Sequence, residues 1–232
     1  MKIRILALLA LALFAGCSSS LDATGPPPAP QLPRDFQWEG RYLVSDLDVD
    51  VPFTWQGSDG DIQMIAGSED HEIYFTNIVQ DGRLYTLTYK WPGVEPPPGE
   101  PDKPPHCSCI GQFTLDVLNE CLAKSRYAGA EILEGTEPRS VHHFRIGVVL
   151  EFVPPPTPIR TPVMLGDFYV DQEDSTKFWE VLHFGLHNLY DPALDEWIII
   201  DTFEDTPGEV TLPPECAAVE CPDVPLTADN CK

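Results

Sequence analysis

With 14 Lys and Arg against 37 Asp and Glu, the 232-residue chain carries a formal charge of −23 at neutral pH. That balance excludes nucleic acid and anionic lipid surfaces as electrostatic partners, since both repel it. Hydrophobic residues make up 43% of the chain, enough to fill a sizeable core in one domain.

Met1–Arg4 supplies two positive charges, and Ile5–Phe14 is an unbroken apolar run of ten residues. This is the layout of a secretory signal peptide, residues 1–16, and it is too short to span a membrane. The run ends in Leu13-Phe-Ala-Gly-Cys17, which resembles a bacterial lipobox: small residues at Ala15 and Gly16 precede a cysteine that would carry the lipid. Phe14 stands where lipoboxes favour Leu, so ordinary cleavage near Ala15 or Cys17, giving a secreted protein, is the alternative. If enteric sorting habits apply, Ser18 does not signal inner-membrane retention, and the expected location is the outer membrane or cell surface. The segment 17–33, with "SSSLDATGPPPAPQLP", has no hydrophobic periodicity and reads as a tether. A single domain over residues 34–231 follows.

Strand signals dominate that domain. Phe36, Trp38, Gly40, Tyr42 and Val44 alternate with more polar neighbours. Asp46, Asp48 and Asp50 then alternate with Leu47, Val49 and Val51, which puts three hard oxygen ligands on one side of a strand. Val51 in place of Gly and Gly57 in place of Glu exclude an EF-hand, leaving a charged strand edge or loose calcium binding. Val51, Phe53 and Trp55 repeat the alternation, and "GSDGD" turns the chain into Asp61–Ile65. "DHEIY" at Asp70–Tyr74 lacks the second histidine of a zinc-protease helix and falls on a strand. The clearest hairpin pairs Glu72–Gln80 with Arg83–Trp91 across Asp81-Gly82, a dipeptide that tolerates the conformations of a tight turn.

Pro92–Pro105 is a surface loop. Thr114 caps a helix whose stripe is Leu115, Leu118, Cys121 and Leu122, with Gly129 just past its end. Strands resume at Val141–Phe152, where His142 and His143 point to opposite faces. At most one of them joins a site with Ser140, and with no third partner in view a satisfied histidine is the better reading. Val163–Val170, Lys177–Tyr190 and Trp197–Phe203 complete eight or nine antiparallel strands.

Within Phe178–Asp191, "FWEVLHFGLHNLYD", His183 and His187 stand four residues apart. On a helix this would suggest a metal pair, but Gly185 and the aromatic flanks favour a strand, and two histidines need a third ligand. The other face of that strand carries Phe178, Leu182, Phe184 and Leu186. The expected fold is mainly β: a curved antiparallel sheet with one or two helices packed on its concave side.

Nucleophile elbows, phosphate loops and dinucleotide fingerprints are all missing from the sequence, so a non-catalytic protein without a cofactor, calcium apart, is expected. The apolar strand faces offer a ligand pocket instead, from Phe178, Leu182, Phe184 and Leu186 with Tyr85, Leu87 and Tyr89. Its partner would be a lipid or other hydrophobic small molecule, the membrane being reached through the N-terminal anchor. A homodimer is left open. The alternative is a structural or adhesive surface protein whose acidic surface collects calcium.

Once Cys17 is lipidated or removed, Cys107, Cys109, Cys121, Cys216, Cys221 and Cys231 form an even set in an exported protein, and disulfides are the default. Six cysteines allow fifteen connectivities, among which sequence does not choose. The Cys-x-Cys of "HCSC" at His106–Cys109 is not the usual zinc spacing. The tail from Pro213 holds three of the six and is expected to staple itself to the body.

"IYFTNIVQDGRLYTLTYKW" and the ending "WIIIDTFEDTPGEVTLPPEC" resemble the ependymin-related proteins over about Phe36–Cys221. The resemblance implies a fold similar to the lipoprotein carrier LolA, a half-barrel sheet whose hydrophobic pocket is closed by helices. It also implies lipid binding, disulfide staples and calcium association. The Cys107/Cys109 pair, Cys221, Cys231 and the lipobox depart from the secreted animal members.

Overall fold

The computed structural model describes residues 26–44, 48–68, 71–88, 106–134, 137–152, 159–182, 196–225 and 227–231. It is mainly β, as expected, and holds eleven strands rather than eight or nine. They are β1 (Phe36–Val44), β2 (Val49–Ser58), β3 (Asp61–Ser68), β4 (His71–Gln80), β5 (Arg83–Thr88), β6 (His106–Gln112), β7 (Arg126–Leu133), β8 (Arg139–Phe152), β9 (Ile159–Asp171), β10 (Phe178–Leu182) and β11 (Glu196–Glu204). Helix α1 (Leu115–Ala123) lies between β6 and β7, and α2 (Pro214–Ala217) lies in the tail.

All eleven strands belong to one open antiparallel sheet in the order β6-β5-β4-β3-β2-β1-β11-β10-β9-β8-β7. Two meanders therefore meet where β1 pairs with β11, and α1 links the two outermost strands. Laid flat, eleven strands at ~4.8 Å spacing would put those edges ~48 Å apart. A nine-residue helix is only ~13 Å long, and the few residues flanking it add little more. The sheet must curl until its edges fall within reach of α1. The 3₁₀ turn Ala228–Asn230 touches both α1 and β8.

Alternation gives the sheet two apolar faces. The inner one is continuous from β4 to β8 and contains Phe36, Trp38, Tyr42, Phe53, Trp55, Phe75, Phe144, Phe168, Phe178 and Ile198. Helix α1 adds Leu115, Leu118, Cys121 and Leu122 to it. The outer cluster is smaller, with Ile78, Tyr85, Leu87, Cys107 and Cys216. Of the two helices, α1 covers the inner face, joined there by Leu32, Ala228 and Cys231, whereas α2, expected there as a second helix, packs outside through Cys216.

Helix α1 starts where Thr114 accepts a hydrogen bond from the Val117 N–H, as its sequence predicts. It ends earlier than expected, at Ala123, and Gly129 is not its cap. Gly129 lies inside β7 at a register shift against β8, with φ +153°, a conformation that suits glycine.

The tail after β11 crosses the outer face of the β2–β6 half. The Gly208 N–H donates to the Gly57 carbonyl at 2.9 Å, and the Gln63 amide exchanges hydrogen bonds with the backbone of Thr211. Val210 and Leu212 cover Tyr85 and Leu87. The chain then rounds the β6 edge, where the Gln112 N–H donates to the Val224 carbonyl, and ends beside α1. Three disulfides hold this path: Cys107–Cys216, Cys109–Cys221 and Cys121–Cys231. Every tail cysteine pairs with a body cysteine, which resolves the fifteen connectivities.

Candidate functional site

Of the seven residues expected to line a pocket, four lie in the described part, and they do not converge. Phe178 is fully buried among Trp38, Trp55 and Phe168 on the inner face. Tyr85 and Leu87 are buried on the outer face beneath the tail. Leu182 is only partly buried; it pairs with Trp197 and Asp167, on the face opposite the buried Val181. Phe184, Leu186 and Tyr89, together with His183 and His187, fall outside the described residues, as do Cys17 and Asp46. A pocket drawing on both Phe178 and Leu87 would have to pass through the sheet.

The calcium candidates are similarly dispersed. Asp48 takes a positive φ of 54° beside β2, so the expected alternation breaks there. Asp50 faces Arg41, whose Nη1 lies 3.4 Å from its Oδ2. Among the described residues no group of three His, Cys, Asp or Glu side chains is arranged to hold a metal.

His143 turns out to be the satisfied core histidine, with partners that sequence reading missed. It is 5% exposed; Nδ1 lies 2.7 Å from Glu131 Oε1 and Nε2 lies 2.6 Å from Asp167 Oδ1. A carboxylate only accepts, so the imidazolium form satisfies both contacts. The Arg145 Nε–H also donates to Asp167, at 2.6 Å. Burial pushes the Asp167 carboxyl up, but the hydrogen bonds from His143 and Arg145 outweigh it and hold the group below the usual carboxylate range. With a carboxylate on each nitrogen, the ring is not free to take a proton from a substrate. The cluster ties β7, β8 and β9 together across their outer face. Its partners are brought in from neighbouring strands by the register of β7 and β9 on β8, which local sequence does not reveal.

Among the described residues the inner face holds one ionisable group that its surroundings do not satisfy. Glu196, at the start of β11, is 4% exposed and pairs across the sheet with Val44. Burial raises its pKa to about 7, partly offset by the Tyr42 hydroxyl, which bonds the carboxyl. Among the described residues the buried Oε2 has no hydrogen-bond partner. Its end of the inner wall is formed by Val44, Val49, Ala66, Phe75, Ile146 and Ile198. Helix α1 lies at the opposite end: Asn119 exchanges two hydrogen bonds with the Leu32 backbone, and the Phe113 N–H donates to Gly82 in the β4–β5 turn.

A surface cleft of ≈ 370 Å³ opens between that turn, the start of α1 and the tail, lined by Asp81, Arg83, Gln112, Thr114, Val117 and Pro225 among others. Phe113, Val117 and Pro225 give it apolar surface beside the charged Asp81 and Arg83. Comparison of the chain with protein-family models and with curated proteins finds no match.

Proposed function

We propose that the chain is an exported, lipid-anchored, non-catalytic protein that holds an amphiphilic ligand against the inner face of its sheet. The site is the end of the interior remote from α1, where the wall is aliphatic and aromatic and Glu196 is the polar group. The observation that carries this reading is a carboxyl buried in that wall whose Oε2 has no partner among the described residues. A buried acceptor left unsatisfied costs ~1–3 kcal/mol, and the donor of a ligand headgroup would recover it. Three disulfides fit an extracellular or periplasmic protein, and no described helix is long and apolar enough to cross a membrane. The resemblance to the ependymin-related proteins points to the same class of ligand. Anchorage at Cys17 places the protein at the outer membrane or cell surface.

The test is extraction of the full chain from its native membrane, followed by intact mass and lipid analysis. A diacyl mass on Cys17 and a co-purified amphiphile of defined stoichiometry are expected, with altered headgroup selection in Glu196→Gln. Absence of bound lipid, together with no affinity for fluorescent fatty-acid or lipid probes, overturns the proposal.

A further inference from the structure

The ≈ 370 Å³ cleft lies at the α1 end of the molecule, away from Glu196. Four segments meet there, and each is tied to a neighbour. The Phe113 N–H donates to the Gly82 carbonyl and the Gln112 N–H to the Val224 carbonyl, both at 2.9 Å. The Gln112 side-chain amide donates to the Asp223 carboxylate. The Cys109–Cys221 and Cys121–Cys231 bonds fix the tail on either side of Pro225. The walls are therefore held in place before any ligand arrives, which lowers the cost of binding. A volume of this order suits a small molecule.

The lining offers three kinds of surface. Phe113, Val117 and Pro225 are apolar, Asp81 supplies a carboxylate and Arg83 a guanidinium. Asp81 and Arg83 flank Gly82 and are both exposed. Among the described residues, neither side chain is tied up in an ion pair or hydrogen bond. At the carboxylate end Asp61 accepts from the Asp81 N–H. Burial pushes the Asp61 carboxyl up, and the charges of Asp81 and Asp59 push it the same way, so this end calls for a cation. Arg83 shares the cleft with the first turn of α1, an end that also favours an anion. The acidic residue of that turn, Asp116, is turned to Arg34. We infer that the cleft binds a small zwitterion of the amino-acid type. Its ammonium group meets Asp81, its carboxylate meets Arg83, and an apolar side chain rests on Phe113, Val117 and Pro225. A simple anion would set its charge near Asp81, and a simple cation near Arg83. A purely apolar molecule would leave both charges unanswered.

Calorimetric titration of the full chain in mild detergent with leucine, methionine and phenylalanine, each up to about 10 mM, tests this. Saturable binding of at least one, at one site per chain, is expected. Arg83→Gln and Asp81→Asn should each weaken it by about tenfold or more, through loss of a charge-assisted hydrogen bond. Asparagine tolerates the positive φ of 51° at position 81, so the turn is kept. The corresponding amide lacks the carboxylate; it should bind the parent weakly and be indifferent to Arg83→Gln. The deaminated acid should behave in the same way toward Asp81→Asn. Glu196→Gln should leave binding unchanged, which separates this site from the interior one. Circular dichroism and the mass of the disulfide-intact variants keep misfolding separate. No binding of any of the three amino acids overturns the inference. So does binding that either charge substitution leaves intact, or an amide or acid that binds as tightly as the amino acid.

Discussion

Glu196 is the residue whose chemistry reaches furthest. Its folded pKa of about 7 lies above the usual 4.5, so the folded chain holds this proton more tightly than the unfolded one does. Below pH 4.5 the group is neutral in both states and costs nothing. Between pH 4.5 and 7 the unfolded chain loses its proton first, and stability falls; above pH 7 the loss is complete, at about 3 kcal/mol. Glu196→Gln should therefore match the parent near pH 4 and be more stable by about that amount near pH 8, as read from urea unfolding. A bound ligand that donates to Oε2 would shrink the difference. His143 makes the opposite case of a group its neighbours satisfy. His143→Phe keeps an aromatic ring against Tyr169, stacked at 4.5 Å in the parent, but removes the donor of Glu131 and leaves Asp167 with Arg145 alone. It should cost about 2 kcal/mol or more by thermal denaturation near neutral pH. Since Asp167 titrates below the ordinary range, its contribution is present above pH 4 and fades as the pH falls through its folded value. Sequence reading found His143 and its face because strand alternation is local. It missed Glu131 and Asp167 because they come from two other strands. Glu196 was hidden for a different reason: a lone glutamate before "WIII" looks like a strand boundary, and only the curled sheet buries it.

Among the elements, β1 is the one that cannot be disturbed, because it joins the two meanders. Its register against β11 shifts at Glu39/Gly40, and a Cβ on Gly40 would sit 1.8 Å from the Ile199 carbonyl oxygen. Backbone cannot yield as a flexible side chain can, so Gly40→Ala should cost more than about 3 kcal/mol and lower the soluble yield of folded protein. The alternating strands from Phe36 to Gln80 and the Asp81-Gly82 hairpin were legible because turn chemistry and hydrophobic period agreed. Asp81 and Gly82 both take positive φ, 51° and 70°. Strands β6 and β7 were not legible. "HCSCIGQ" has almost no aliphatic alternation, and its place in the sheet is held by two disulfides. "RYAGAEIL" is an exposed edge with no buried face to impose a period of two, and its glycine imitates a helix cap.

At the scale of the whole molecule, the tail is a strap across the outer face and round one edge. Mutating Cys107 and Cys216 to alanine should lose about 2–3 kcal/mol, because Cys109–Cys221 still closes the long loop and only the small ring between the two neighbouring bonds is opened. Freed from Val210 and Leu212, the outer cluster of Ile78, Tyr85 and Leu87 should bind a hydrophobic dye that the parent does not. Stapling of the tail was readable from the even cysteine set and its split between body and C-terminus. Which cysteines pair was not, because that depends on how the tail is routed over the curled sheet. The bonds span 109, 112 and 110 residues, so each body cysteine waits for a partner near the end of the chain. A chain threaded into an oxidising compartment from its N-terminus presents Cys107, Cys109 and Cys121 long before Cys216, Cys221 and Cys231. Early oxidation joins neighbours in order of arrival, and every such bond is non-native. Maturation thus depends on undoing first bonds, and a host without disulfide isomerase should accumulate full-length but mispaired protein.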